Sequence, residues 1–204
     1  MSLTLTPFMV RLDEVHAVVG SRNPRTYAVL SQWAGAGWVA EDEQFDYEIA
    51  DGAPTSSEAA LAVINGGPFD KEYGHRYASA YHDICGFMTD FTLPYNEFSG
   101  FRSGWLVDVG KGLEHLGITT AKLDDLVYGT LPAPLPFAED WYYGEWDTAT
   151  CRAGFAQWQA STPQQQAELH PEVLAAVKTC VAWMEAVVVT DQSEGEFGVA
   201  GFLG

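Results

Sequence analysis

What this chain has little of sets the first limits on what it does. Of its 204 residues only ten are Lys or Arg, against 28 Asp and Glu, a formal net charge of −18. The ten cations (Arg11, Arg22, Arg25, Lys71, Arg76, Arg102, Lys111, Lys122, Arg152 and Lys178) are scattered and form no cluster or stripe. Such a chain offers nothing to neutralise a phosphate backbone, so nucleic acid is excluded as the expected partner. Anionic membrane surfaces are disfavoured for the same reason. Acidity favours solubility and a basic partner instead. Cysteine is also scarce: Cys85, Cys151 and Cys180 are odd in number, widely spaced and include no C-x-x-C pair. That argues against a disulfide framework and for free buried thiols in a reducing compartment. Long apolar runs are missing too. Arg11, Asp13 and Glu14 arrive too early for a signal peptide, and Glu185 interrupts the apolar stretch near the C-terminus. The expectation is a cytoplasmic protein without a membrane span.

What is present is core material. The chain is 47% hydrophobic, with seven Trp, nine Tyr and eleven Phe, the opposite of a disordered composition. Its length suits one domain, residues 1–204. Helical periodicity dominates. Asn23 followed by Pro24 predicts a helix start, with the helix ending before Gly35. Thr55-Ser56-Ser57-Glu58 is a capping-box pattern ahead of a helix closed by Gly66-Gly67-Pro68. From about residue 71 to 91, Tyr73, Tyr77, Tyr81, Ile84, Met88 and Phe91 recur at steps of three or four, one apolar stripe. Ser103 is a candidate cap for a helix carrying Trp105, Val109, Leu113 and Leu116, although Gly110 and Gly112 weaken it. Asp147 caps a further helix, and His170-Pro171 opens the last long one. Residues 129–147 read as irregular, with Pro132, Pro134 and Pro136 forbidding regular structure, yet apolar enough to pack on the core. The fold class expected is mainly α, about six to eight helices with one or two short strands. The alternative is α+β, with the segments near Leu3, Phe45 and Val199 pairing in a small sheet.

Motifs that carry chemistry are weak. His75 and His82 share the best helix but stand two turns apart, about 10.5 Å along the axis, too far to bind one metal ion. His82 beside Asp83, near Tyr81, is the best candidate for acid–base work. Gly35-Ala36-Gly37-Trp38-Val39-Ala40 matches a dinucleotide-binding pattern, but it follows a helical segment and Glu41-Asp42-Glu43 would repel a pyrophosphate. No Walker A sequence and no G-x-S-x-G elbow exist. No cofactor and no metal are expected. The segment Glu139-Asp140-Trp141-Tyr142-Tyr143-Gly144-Glu145-Trp146-Asp147 interleaves aromatics with carboxylates. Trp141, Tyr143, Glu145 and Trp146 could grip a cation or a basic protein. The competing reading makes the aromatics core plugs and leaves the carboxylates in water.

The stretch ALAVINGGPFDKEYGHRYASAYHDICGFM within residues 60–91, with YGTLPAPLPFAEDWYYGEWDTATCRAGFAQW at 128–158, resembles a family of uncharacterised actinobacterial proteins. Those motifs are aromatic and glycine-rich, so the resemblance implies shared packing and brings no activity or catalytic residue with it. The leading expectation is therefore a non-catalytic binding or regulatory protein with a basic partner. The alternative is a small-molecule enzyme with its site around His82 and Asp83.

Overall fold

The computed structural model describes residues 2–89, 91–102, 104–139, 141–190 and 197–204. The chain divides into two compact units. One comprises residues 1–12, 89–129 and 142–204, the other residues 13–88 and 130–141.

The first unit is built on a four-stranded antiparallel sheet in the order β2-β1-β4-β3. Its strands are β1 (Leu5–Arg11), β2 (Phe91–Thr92), β3 (Tyr142–Trp146) and β4 (Phe197–Leu203). The two long strands from the ends of the chain lie at the centre, Leu5 opposite Leu203 and Arg11 opposite Phe197. All seven residues of β4 are buried, as a strand covered on both faces must be. Helices α6 (Trp105–His115), α7 (Leu123–Val127), α8 (Thr148–Ala160), α9 (Pro163–Ala167) and α10 (Pro171–Thr190) complete the unit. α10 is long and apolar enough to cross a membrane, with mean hydropathy 1.7 over the relevant window. Its Val177, Cys180, Trp183, Met184 and Val187 are fully buried in the core of this unit, so its apolarity is accounted for by packing. Gly112 explains how a glycine-containing α6 persists. A Cβ there would stand 2.7 Å from Val173 Cγ1 and 3.1 Å from Val177 Cγ2, so the missing side chain is what lets α6 and α10 approach.

The second unit holds α1 (Leu12–Val18, apart from its first residue), α2 (Pro24–Gln44), α3 (Asp46–Ala50), α4 (Ser56–Asn65) and α5 (Gly74–Met88). Caps foreseen in the sequence are in place. Asn23 Oδ1 accepts from Arg25 N, and the Thr55–Glu58 capping box is closed at both ends. Gly66 ends α4 in the left-handed region, φ 76°. Tyr77, Tyr81 and Ile84 are the buried part of the tyrosine stripe.

The mainly helical class holds, with six helices of ten residues or more and four of five or seven among the described residues. The sheet of the α+β alternative is present as well, drawing on both termini. Phe45 takes no part in it, because it stands between α2 and α3. Three local expectations are corrected. α2 does not stop before Gly35 but continues to Gln44. A helical glycine costs about 1 kcal/mol against alanine, and the burial of Leu30, Ala34 and Trp38 outweighs it. In the segment near Phe45, Tyr47 and Ile49 lie in a helix, not a strand. The stretch 129–147 is irregular only as far as Glu139, and Tyr142–Trp146 is an edge strand. Its proline-rich part does reach the second unit's core, but through backbone. A Cβ at Gly74 would stand 2.1 Å from Phe137 O, and only Ala138 is buried there while the Phe137 ring is 81% exposed. The cap expected at Ser103, like Asp140 and Glu196, lies outside the described residues.

Candidate functional site

In the second unit the chemistry gathers where α2 and α5 run side by side. The α5 residue Arg76 has a side chain only 1% exposed, a costly place for a charge without partners. Its Nη2 donates to Asp42 Oδ1 and, at 3.2 Å, to Ser56 Oγ. Nε donates to Pro54 O at 3.1 Å, and the guanidinium lies 5.6 Å from the Phe45 ring centroid. Nη1 is buried without a hydrogen-bond acceptor among the described residues, 3.7 Å from Glu41 Oε1. Glu41 is held from two sides, accepting from Ser79 Oγ at Oε1 and from Ser56 Oγ at Oε2, both at 2.8 Å.

Two turns further along α5, Asp83 continues this polar seam. Its Oδ2 accepts the indole N–H of Trp38 at 2.7 Å, and its Oδ1 lies 3.6 Å from His82 Nδ1. His82 is partly exposed and meets the Trp141 ring edge-on, centroids 5.5 Å apart. Tyr27 stacks on the other side of the Trp38 indole, 6.5 Å between centroids, and its hydroxyl is 2.7 Å from Ser57 Oγ. Between α2 and α5 opens a hollow of about 320 Å³ lined by Trp33, Ala34, Gly37, Trp38, Glu41 and Asp83. That volume suits a small ligand. Trp33 is 56% exposed at its rim and touches Phe87 edge-on. Nothing lies within 4 Å of where a Gly37 Cβ would be, so this glycine serves no close contact and leaves the hollow open.

The site residues expected from sequence divide sharply. Asp83 lines the hollow, and His82 sits beside it without lining it. Trp141 is half-buried against His82. Tyr143 and Trp146 belong to the first unit's core, 3% and 0% exposed. They stand on opposite faces of β3, since successive residues of a strand alternate sides, and each face is packed, Tyr143 on Phe202 and Trp146 on Trp183. Trp146 Nε1 donates to Lys122 O at 2.8 Å and Tyr143 OH donates to Glu145 Oε1. The expectation that Tyr143 and Trp146 present their rings to a partner is therefore corrected to a core role. Sequence reasoning missed Trp33, Gly37 and Glu41. Their spacing of four, with Ala34 and Trp38 also four apart, would have placed them on one face had residues 24–44 been read as a single helix.

A second, wider hollow of about 850 Å³ opens in the first unit, where Glu97, Arg102, Asp108 and Glu172 contribute both signs of charge beside Trp105. Cys85, Cys151 and Cys180 are free and buried. Burial pushes the Cys151 thiol up to about 12, helped by the charge of Asp147, and burial raises Cys180 as well. Neither is a thiolate nucleophile. No three potential metal ligands come together among the described residues.

Fold and site together define an α-rich chain with a small antiparallel sheet and an acidic, indole-walled hollow between two helices. The chain belongs to the family described as Domain of unknown function (DUF7691), whose profile matches residues 1–203. No curated protein and no solved structure matches it.

Proposed function

We propose that this protein is an enzyme acting on a small molecule held in the α2–α5 hollow, with His82 carrying a proton and Asp83 joining it to the bound molecule. The observation that carries this reading is the position of Asp83. One carboxylate is fixed by the buried Trp38 indole, lies within ion-pair reach of His82 and forms part of the hollow's wall. An imidazole beside a carboxylate is the commonest side-chain device for moving protons near neutral pH. A cytoplasmic setting goes with this reading, supported by three buried free thiols.

The reading with a basic protein as partner has less behind it. Two of the aromatics assigned to such a contact, Tyr143 and Trp146, are buried, which leaves only Trp141 and scattered carboxylates to supply an interface core.

The test is a turnover screen over metabolite pools, followed by His82→Asn and Asp83→Asn on any reaction found. Turnover should collapse in His82→Asn. A reaction that proceeds undiminished in both variants would rule out this site.

A further inference from the structure

We infer that the molecule this hollow takes is a small organic cation, an amine or quaternary ammonium group; the inference rests on the hollow being the substrate site. Three features of the wall point the same way. The first is charge. Glu41 and Asp83 line the hollow, and among the described residues the only Arg or Lys bonded to this seam, Arg76, is buried and shared between Asp42 and Glu41. With Asp42 counted, the seam carries three carboxylates against one guanidinium, so the surface the hollow presents is negative. An anion would meet uncompensated repulsion there.

The second feature is the pair of indoles. Trp33 and Trp38 are both part of the wall, and an indole face attracts a cation more strongly than any other aromatic ring. Trp38 is held rigidly: its N–H is bonded to Asp83 and Tyr27 stacks against it. The bond to Asp83 also means that a ligand cation meets an indole already polarised by a carboxylate. Carboxylates alone would suit a metal ion equally well. Two indoles in the wall favour a cation with an apolar shell, which a hydrated metal ion lacks.

The third feature is Gly37. It stands in the middle of a 21-residue helix, an unfavourable place for glycine, and no neighbouring atom requires it, since a Cβ would have open space. Gly35, two residues earlier, has the same freedom but does not line the hollow. A side chain at position 37 would enter space that a ligand is to occupy. The glycine pattern that fails as a dinucleotide fingerprint is accounted for in this way.

The experiment titrates the full chain with choline and, separately, with 3,3-dimethylbutan-1-ol, which has the same shape without the charge. The indole N–H resonances of Trp33 and Trp38 are followed by NMR. Choline should move both, and bind about tenfold or more tightly than the neutral analogue. Trp33→Ala, Glu41→Gln and Gly37→Leu should each weaken choline about tenfold. Glu41→Gln keeps one acceptor oxygen and offers an amide N–H to the other serine hydroxyl, which can accept, and Trp33 is an exposed rim residue, so these variants keep the fold. Gly35→Leu should bind choline as the wild type does. If the neutral analogue binds as tightly as choline, the cation inference is overturned while the hollow survives as a small-molecule site. If neither compound moves the two indoles, the inference falls, and the acid–base reading still stands or falls on the His82→Asn turnover test. Choline binding that ignores Gly37→Leu would place the cation elsewhere and also overturn it.

Discussion

The indole N–H of Trp38 points across from α2 to Asp83 on α5 and donates to Oδ2 at 2.7 Å. Trp38 is 4% exposed, so this donor has no water to fall back on. Asp83→Ala leaves it unsatisfied and should destabilise the protein by about 1–3 kcal/mol. Asp83→Asn keeps an acceptor oxygen at the same place and should cost less than the alanine change. Urea denaturation of the two variants checks the order, and equal losses would show that the bond contributes nothing beyond the carboxylate's bulk.

Gly37→Ala and Gly35→Ala should both stabilise, each by up to about 1 kcal/mol, because alanine is the better helix former and meets no atom at either position. The thermal midpoint reads this directly. The two should part company in function. Gly37→Ala narrows the hollow and weakens whatever binds there, whereas Gly35→Ala is silent. Gain of stability with loss of binding is expected where a residue is kept for a site rather than for packing.

Arg76→Met removes the guanidinium that Asp42 and Glu41 share and leaves both carboxylates without it. Breaking a buried pair from one side costs about 3–5 kcal/mol. The lower end applies here, since the Asp42 and Glu41 side chains keep 23% and 26% of their exposure. Adding Asp42→Asn should recover part of the loss. Guanidinium denaturation of the single and double variants measures this, and a double variant no more stable than Arg76→Met would mean that repulsion between the carboxylates is not the cause.

The buried thiols give the protein a stability limit at high pH. In the unfolded chain Cys151 loses its proton near its ordinary value of 9.0, whereas in the fold it is held protonated up to about 12. Above pH 9 the unfolded state therefore binds fewer protons than the folded one, and stability falls as pH rises to about 12. The slope is at most about 1.4 kcal/mol per pH unit for one such thiol. Cys151→Ala should flatten this slope even if it lowers stability overall. In the same buffers a thiol reagent should find none of Cys85, Cys151 and Cys180 in the native protein and all three after denaturation. Reaction of the native chain on mixing would contradict the burial of these residues.

Much of the fold was legible in short stretches. Asn23-Pro24, the Thr55–Glu58 box and Asp147 act through bonds within three residues of themselves, and each marks a helix start in the structure. The tyrosine steps along α5 are equally local, since 3.6-residue periodicity needs no partner to be read. Errors arose where a distant contact overrules a local preference. Gly35 looked like a helix end, yet α2 runs through it and through Gly37 because Trp38 and Ala34 are buried. Gly112 looked like a weakness in α6 and is the point at which α10 approaches.

The candidate site shows the same division. The sequence by itself determined a mainly helical, strongly acidic chain with free thiols, and it singled out His82 and Asp83, because composition, capping and periodicity are written in neighbouring residues. Tertiary structure alone decided that residues at both chain ends form the centre of one sheet, with Leu5 opposite Leu203. It also decided that Tyr143 and Trp146 are core while Trp33 is not, and that Glu41 and Asp83, 42 positions apart, wall one hollow. Strand pairing and pocket formation depend on which distant surfaces exclude water from each other. That is a property of the whole packed chain and not of any segment within it.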